Sequence, residues 1–378
     1  MVRAYRSCVK LSLILLLAWG AARVAAGQRS AGLRVESVSP RAGFDLVPIG
    51  DEPAPQGRPL VELEKFSLKT ANGVQGRVNF SPDGTWLMVC DYRAVHFWDL
   101  TGAEPREVSA IPQKELHVRD ILAAAISPDG SRVALGGYDK GVHLYALKDL
   151  RLTELSNAVE HDGAVRALQF SPDGQTLASG GDDACVFLWD VKPAKLQQRT
   201  MFKVDHSVFG VQSLGFAPDG KSFYVNTGTG DVRRVAIGAG EPKQTLAFTE
   251  PATLRIPMAV ASDGEQLAFG SRKDIVVWRG TNQGTFHAHT GQVNAVAFDE
   301  EARFIGSGGE DGRLIVWDLT GHIRFSTQRP SPFDAVAFKP AKPGAADFWI
   351  AAANRNGTVY LLHLEDSAVA PPKSSKRV

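Results

Sequence analysis

The sequence predicts an all-β fold in which one short unit is repeated seven times. Two observations lead there: a stretch that reads as three consecutive strands, and the return of its marker residues at regular intervals along the chain. The stretch is HDGAVRALQFSPDGQTLASGGDDACVFLWDV, from His161 to Val191. Val165–Phe170 is a first strand whose apolar residues fall on both parities, as suits a strand covered on both faces. Ser171-Pro172-Asp173-Gly174 is a turn. Proline presets φ at its second position, aspartate can bond its own backbone, and glycine accepts the conformation at the exit. Thr176–Gly180 is a second strand, Gly181–Ala184 a second turn, and Cys185–Asp190 a third strand ending in Trp-Asp.

The recurrence fixes the copy number. Residues equivalent to Phe170 fall at Phe80, Ile126, Phe216, Val260, Phe298 and Phe338, at intervals of 38 to 46. Those equivalent to Trp189 fall at Trp98, Tyr145, Val235, Trp278, Trp317 and Leu362. The turn reads SPDG from Ser81, Ser127 and Ser171, APDG from Ala217 and ASDG from Ala261. It becomes DEEA from Asp299 in the sixth unit and a longer KPAKPG from Lys339 in the seventh. Such a unit cannot bury both faces alone, so the copies must stack, and closing the stack into a ring removes exposed edges.

An initial His, a central Pro-Asp-Gly and a terminal Trp-Asp within about 30 residues resemble the WD40 repeat, whose copies form the blades of a β-propeller. The resemblance implies a seven-bladed propeller over residues 60–365, with a fourth, outer strand after each Trp-Asp. Lys195–Phe202, Gln244–Phe248 and Ile323–Thr327 suit that role. The seventh unit ends without one, so the resemblance assigns its outer strand to Leu60–Leu68, joining both ends of the chain in one blade.

The resemblance also implies a buried chain of bonds in each complete unit. In the third it would link His161, Ser179, Asp183 and Trp189, and in the sixth His289, Ser307, Asp311 and Trp317. The chemistry suits those residue types: the indole N–H only donates, the hydroxyl relays, and His bridges to an Asp that cannot be buried unpaired. A Ser-His-Asp hydrolase triad is the competing reading. The fixed Trp spacing and the repetition in a second unit favour structure. The remaining units depart from the pattern. The second keeps His117, Asp139 and Tyr145, and the first has Trp98 without a matching Asp. The fourth keeps His206 but has Val235. The fifth has Arg272 at the Asp position, and the seventh has Asn356 and Leu362.

Outside the ring the chain reads as transport and linker. Arg3, Arg6 and Lys10 precede an apolar core, Leu11–Ala22, and the small residues Val24-Ala25-Ala26. That is the pattern of a secretory signal peptide over residues 1–26, cut after Ala26. The apolar run of 12 residues is short for a membrane span, which needs about 20. An uncleaved N-terminal anchor is the alternative. Residues 27–59 are rich in Pro and Gly and read as a linker, and 366–378 as a flexible tail. The expected location is therefore periplasmic or secreted. Cleavage removes four cations and no acids, taking the formal charge from +1 to −3. Such a balance offers no electrostatic footprint for nucleic acid. Cys90 and Cys185 fall in units two positions apart and read as two separate buried thiols.

Motifs that would carry chemistry are missing. There is no G-x-S-x-G elbow, no C-x-x-C-H, no P-loop and no EF-hand loop. His287-Ala288-His289 has a spacing usable for metal, but His289 is assigned to structure. Asn79-Phe80-Ser81 and Asn356-Gly357-Thr358 match the glycosylation pattern, the first inside a strand and the second as a turn. No cofactor is expected. By the resemblance, partners dock on the end of the ring where the first strands begin. There the position of Ala164 becomes Asp120, Gly210 and Gln292. That of Arg166 becomes Leu122, Gln212, Asn294 and Asp334, with Phe209 and Phe333 alongside. Arg166 and Phe333 are the leading anchors. The expected function is a non-catalytic extracytoplasmic scaffold, monomeric, binding a protein or peptide. An enzyme working in the central channel, with Asp120 and Asp334 as its acids, and a small-ligand sensor are the alternatives.

Overall fold

In a computed structural model the residues described are 60–70, 77–204, 209–238, 242–249, 257–280 and 282–366. Their strands form seven four-stranded antiparallel sheets in a ring, a seven-bladed β-propeller. Blades one to six are consecutive in sequence, spanning 77–112, 121–158, 165–203, 211–249, 258–287 and 293–328. Residues 1–59, on which the expected signal and linker fall, His206 and residues 367–378 lie outside the described residues.

Burial follows the radial position of each strand. The second strands Thr176–Gly181, Ser222–Thr227, Gln266–Ser271 and Phe304–Gly309 are buried at every residue, because both of their faces meet a neighbouring blade. Outer strands such as Lys195–Lys203 are largely exposed, and their sequence is correspondingly polar. The seams between blades hold the apolar core. Leu144 and Ala134 of the second blade pack with Leu177, Phe187 and Trp189 of the third, for example. Each of the larger of these side chains contributes about 1.5–3 kcal/mol by leaving water.

A glycine shapes each of several seams. A Cβ on Gly136 would lie 2.6 Å from Val165 Cγ1, and one on Gly308 would lie 2.7 Å from Phe333 Cβ. Gly180 meets Val211 in the same way, and Gly270 meets Val293. The missing side chain is the socket into which the next blade's first strand inserts. In the fourth blade Asn226 takes this place, fully buried, with both amide atoms unpartnered. The cluster at the seam it faces is correspondingly small, built on Tyr224, Val232 and Leu267.

The SPDG turns line the opposite end of the ring and do two jobs. Within a blade, the hydroxyls of Ser81, Ser127 and Ser171 accept from the backbone N–H of Trp86, Arg132 and Thr176 at 2.9–3.0 Å. Between blades, each proline rests on the next turn's glycine. A Cβ on Gly130 would lie 3.5 Å from Pro82, and one on Gly174 3.4 Å from Pro128. These glycines also hold φ near +70°, where other residues are strained. The DEEA turn replaces both functions. Asp299 accepts from Phe304 N–H at 2.7 Å in place of the serine. Glu300 and Glu301 accept from Ala341 and Gly344 N–H of the longer seventh-blade loop.

The chain ends meet in the seventh blade. Val61–Lys69 pairs antiparallel with Thr358–Glu365, with Leu68 opposite Val359 and Phe66 opposite Leu361. The closing strand thus begins one residue later than Leu60–Leu68, because Leu60 instead donates its N–H to Arg324 of the sixth blade at 2.7 Å. The tail boundary also moves. Asp366 is buried and paired with Arg324 at 3.1 Å, so it belongs to the ring.

Candidate functional site

At the end of the ring where first strands begin, each blade presents two segments: the entry to its first strand and the turn between its second and third. The third and sixth blades tie these together with buried side chains. His161 Nδ1 lies 2.9 Å from Asp183 Oδ2, and its Nε2 lies 2.8 Å from Ser179 Oγ, which accepts from Trp189 Nε1–H at 2.9 Å. In the sixth blade the same atoms of His289, Asp311, Ser307 and Trp317 lie 2.8–3.0 Å apart. Burial raises the Asp183 and Asp311 carboxyls, but the hydrogen bond and charge of each histidine, together with backbone N–H donors, outweigh it and leave both pKa values lowered. Each hydroxyl is held between indole and imidazole inside the blade, where no substrate reaches it.

The first and second blades solve the same problem differently, which corrects the sequence reading. His117 does not meet Asp139; it is exposed and pairs with Glu154 at 3.1 Å. Asp139 instead accepts from His143, on the third strand, at 2.6 Å. The Tyr145 hydroxyl donates to the Leu116 carbonyl. The first blade does have a turn acid, Asp91, buried and 3.3 Å from His96 Nε2, while Glu107 takes His96 Nδ1 at 2.7 Å. His96 and His143 occupy the place of Phe187, so the imidazole comes from the third strand. Trp98 Nε1 is left buried without a partner.

Around the channel mouth, the residues aligned with Arg166 are answered mostly by their own blade's turn. Arg166 pairs with Asp182, its Nη2 2.9 Å from Oδ2, and its guanidinium lies 5.9 Å from the Tyr138 ring. Arg77 reaches from the first blade to donate to the Arg166 carbonyl at 2.7 Å. Asn294 donates to Glu310 at 3.1 Å and to Asp334 at 3.0 Å. Arg355 is bidentate to both Asp334 and Glu310 at 2.6–3.0 Å, which raises its pKa. Gln212 donates to the Phe209 carbonyl at 2.9 Å. Asp120, Leu122 and Gln292 are half-buried on the same mouth.

Two proposed contact residues are corrected here. Phe333 is fully buried, filling the socket at Gly308 and packing edge-on against Tyr360. Asp334 is buried beneath Arg355, so neither it nor Phe333 offers a surface. Ala164 is buried as well.

Reactive groups are few. Burial pushes the Cys90 thiol up to about 12 and that of Cys185 up to about 11, so both are protonated at neutral pH. Both are free thiols. His287 pairs with Asp274 at 2.8 Å. Among the described residues no group of three or more His, Cys, Asp or Glu could hold a metal ion, and no helix is long and apolar enough to cross a membrane. Asn79 sits in the strand Arg77–Phe80, and Asn356 Oδ1 accepts from Thr358 N–H at 2.9 Å.

Ring, blade build and buried Trp–Ser–His–Asp chains define the class: the chain is a WD40-repeat β-propeller. Residues 153–190 and 280–318 match the family described as WD domain, G-beta repeat, and these stretches lead into or contain the two complete chains of bonds. Among curated proteins the chain is similar to the small ribosomal subunit protein RACK1z of Arabidopsis thaliana. They are 31% identical over 88 residues, 23% of this chain and 25% of that protein. The periodic tryptophan protein 2 homolog of Dictyostelium discoideum is 31% identical over 90 residues, 22% of this chain and 10% of that protein. The U3 small nucleolar RNA-associated protein 4 homolog of Homo sapiens is 31% identical over 98 residues, 24% and 14% respectively. The chain spans a quarter or less of the length of these relatives.

Proposed function

We propose that the propeller is a non-catalytic scaffold that holds a protein or peptide at the mouth of the ring, and that it works outside the cytoplasm. One observation carries the first part: the His, Ser and Asp that resemble a catalytic set are bonded to one another inside the blades. Asp334, an acid on which channel chemistry would depend, is likewise held by Arg355. The mouth keeps the half-exposed mixed polar and apolar set Asp120, Leu122, Gln212 and Gln292, a composition suited to protein contact. Relatives named as ribosomal subunit proteins are themselves parts of assemblies, which supports a scaffold reading. The extracytoplasmic part rests on the basic, apolar and small-residue order of residues 1–26.

The test is affinity capture from the native cell envelope, comparing wild type with the pair Leu122→Glu and Gln212→Glu. The expected outcome is loss of the captured partner at an unchanged melting temperature. Retained capture overturns the mouth as the site. The purified native protein should begin at Gly27, and an intact Met1 in the soluble cytosolic fraction overturns the location.

A further inference from the structure

We propose that the outer corner where the sixth and seventh blades meet is a second docking surface, which takes an acidic segment of a partner protein as an added strand. The inference goes beyond the scaffold reading at the mouth and does not depend on it.

The closing strand Val61–Lys69 lies last in its sheet, so among the described residues its outer edge carries no further strand. Its register sets Lys65 opposite Leu362, Ser67 opposite Tyr360 and Lys69 opposite Thr358, and alternate residues of a strand share one face. That face looks toward the sixth blade, because Tyr360, Leu362 and Leu364 pack with Phe304 and Leu314. At the rim, Lys65, Ser67 and Lys69 are exposed. Lys65 Nζ lies 5.9 Å from the centre of the Tyr360 ring. The guanidinium of Arg329, on the loop that leaves the sixth blade, lies 4.9 Å from the same centre. Lys69 Nζ donates to Thr358 Oγ1. Three cations from two blades thus gather around one tyrosine.

Charge selects the occupant. Lys65, Lys69 and Arg329 have no carboxylate partner among the described residues. Acids of the adjoining turn and strand entry are committed elsewhere, Glu310 and Asp334 to Arg355 and Asp311 to His289. Glu62, further along the closing strand, is exposed and pairs with none of the three. Thr358 and Tyr360, beside which the two lysines rest, are two residues apart, about 7 Å along the strand. Alternate side chains of an extended chain recur at that same interval, so a strand with an acid at every second position meets both lysines. A lone anion leaves part of the row unanswered. The open edge supplies the backbone pairing that an added strand needs, and the cations supply the preference for acids.

Fluorescence anisotropy of the purified chain with a labelled peptide of alternating Glu and Val tests this. Binding should be measurable at low salt and weaken as salt rises. Lys65→Glu with Lys69→Glu should weaken it at least about tenfold at an unchanged melting temperature. Lys195→Glu with Lys203→Glu makes the same charge change at exposed positions on the third blade's outer strand, and it should leave binding as in wild type. The peptide with Lys in place of Glu should not bind. A peptide with N-methylated backbone amides keeps the acids but not the strand pairing, and it too should bind at least about tenfold more weakly. No binding by wild type overturns the proposal, and so does equal loss in the two lysine pairs or none in either. Full affinity of the methylated peptide, or its displacement by inorganic phosphate at matched ionic strength, overturns the added strand.

Discussion

His96 sits between two carboxylates, and that position makes it sensitive to pH. Burial pulls its pKa down, but the hydrogen bonds and the charges of Asp91 and Glu107 together outweigh burial and leave the value raised above the ordinary 6.5. The folded protein therefore holds this proton more tightly than the unfolded chain does. Its contribution is complete below about pH 6.5 and is lost as pH climbs through the raised value. Melting temperature should accordingly fall between about pH 6 and pH 8 in the wild type, and the slope should flatten in His96→Gln. Equal slopes in the two proteins would remove His96 from the account. The complete chains in the third and sixth blades could be read from sequence because their four residue types recur at one spacing. The first and second blades could not be read that way. The pattern places an imidazole ahead of the first strand, whereas theirs comes from the third. The overlooked signal is the short step from turn acid to histidine, Asp91 to His96 and Asp139 to His143. Phe333 was misplaced for a related reason. An aromatic at a strand entry looks like an anchor until the socket at Gly308 is seen.

Among the elements, the second strands decide how tightly blades seat. Gly180→Ala would drive a methyl group into Val211, at a cost of about 1–3 kcal/mol in denaturant unfolding. Adding Val211→Ala should recover part of that loss, since the truncated side chain clears the added methyl. Strictly additive effects would mean that the seam adjusts in some other way. Strand positions were legible because short apolar runs and turn chemistry repeat with each copy. The purpose of the turns was not. Pro-Asp-Gly signals a turn from its own geometry, yet its proline also covers the next blade's glycine, a contact between residues far apart in sequence. The same holds for DEEA. It reads as a lost turn, whereas Glu300 and Glu301 hold the longer loop that follows Phe338.

For the whole molecule, the strand Val61–Lys69 determines whether the ring is closed. Deleting residues 56–70 removes the burial of Leu60 and Leu68 and part of that of Phe66, a loss of about 5 kcal/mol. It also leaves the Thr358–Glu365 edge unpaired. The melting temperature should fall by roughly 10 °C or more. Unchanged thermal stability would show that the ring holds without this strand. The copy number and the joining of the ends were legible, since the seventh unit lacks an outer strand and the chain holds one to spare.

That joint also orders events in time. Lys69 and Thr358 stand side by side although 289 residues separate them, so the first ring segment to be synthesised waits for nearly the last. Until synthesis is almost complete, six blades' worth of chain has no means of sealing, and loop closure over such a distance is slow. A nascent or interrupted polypeptide therefore exposes a sticky β-edge, and quality control in the cell has one late event by which to tell finished molecules from failures.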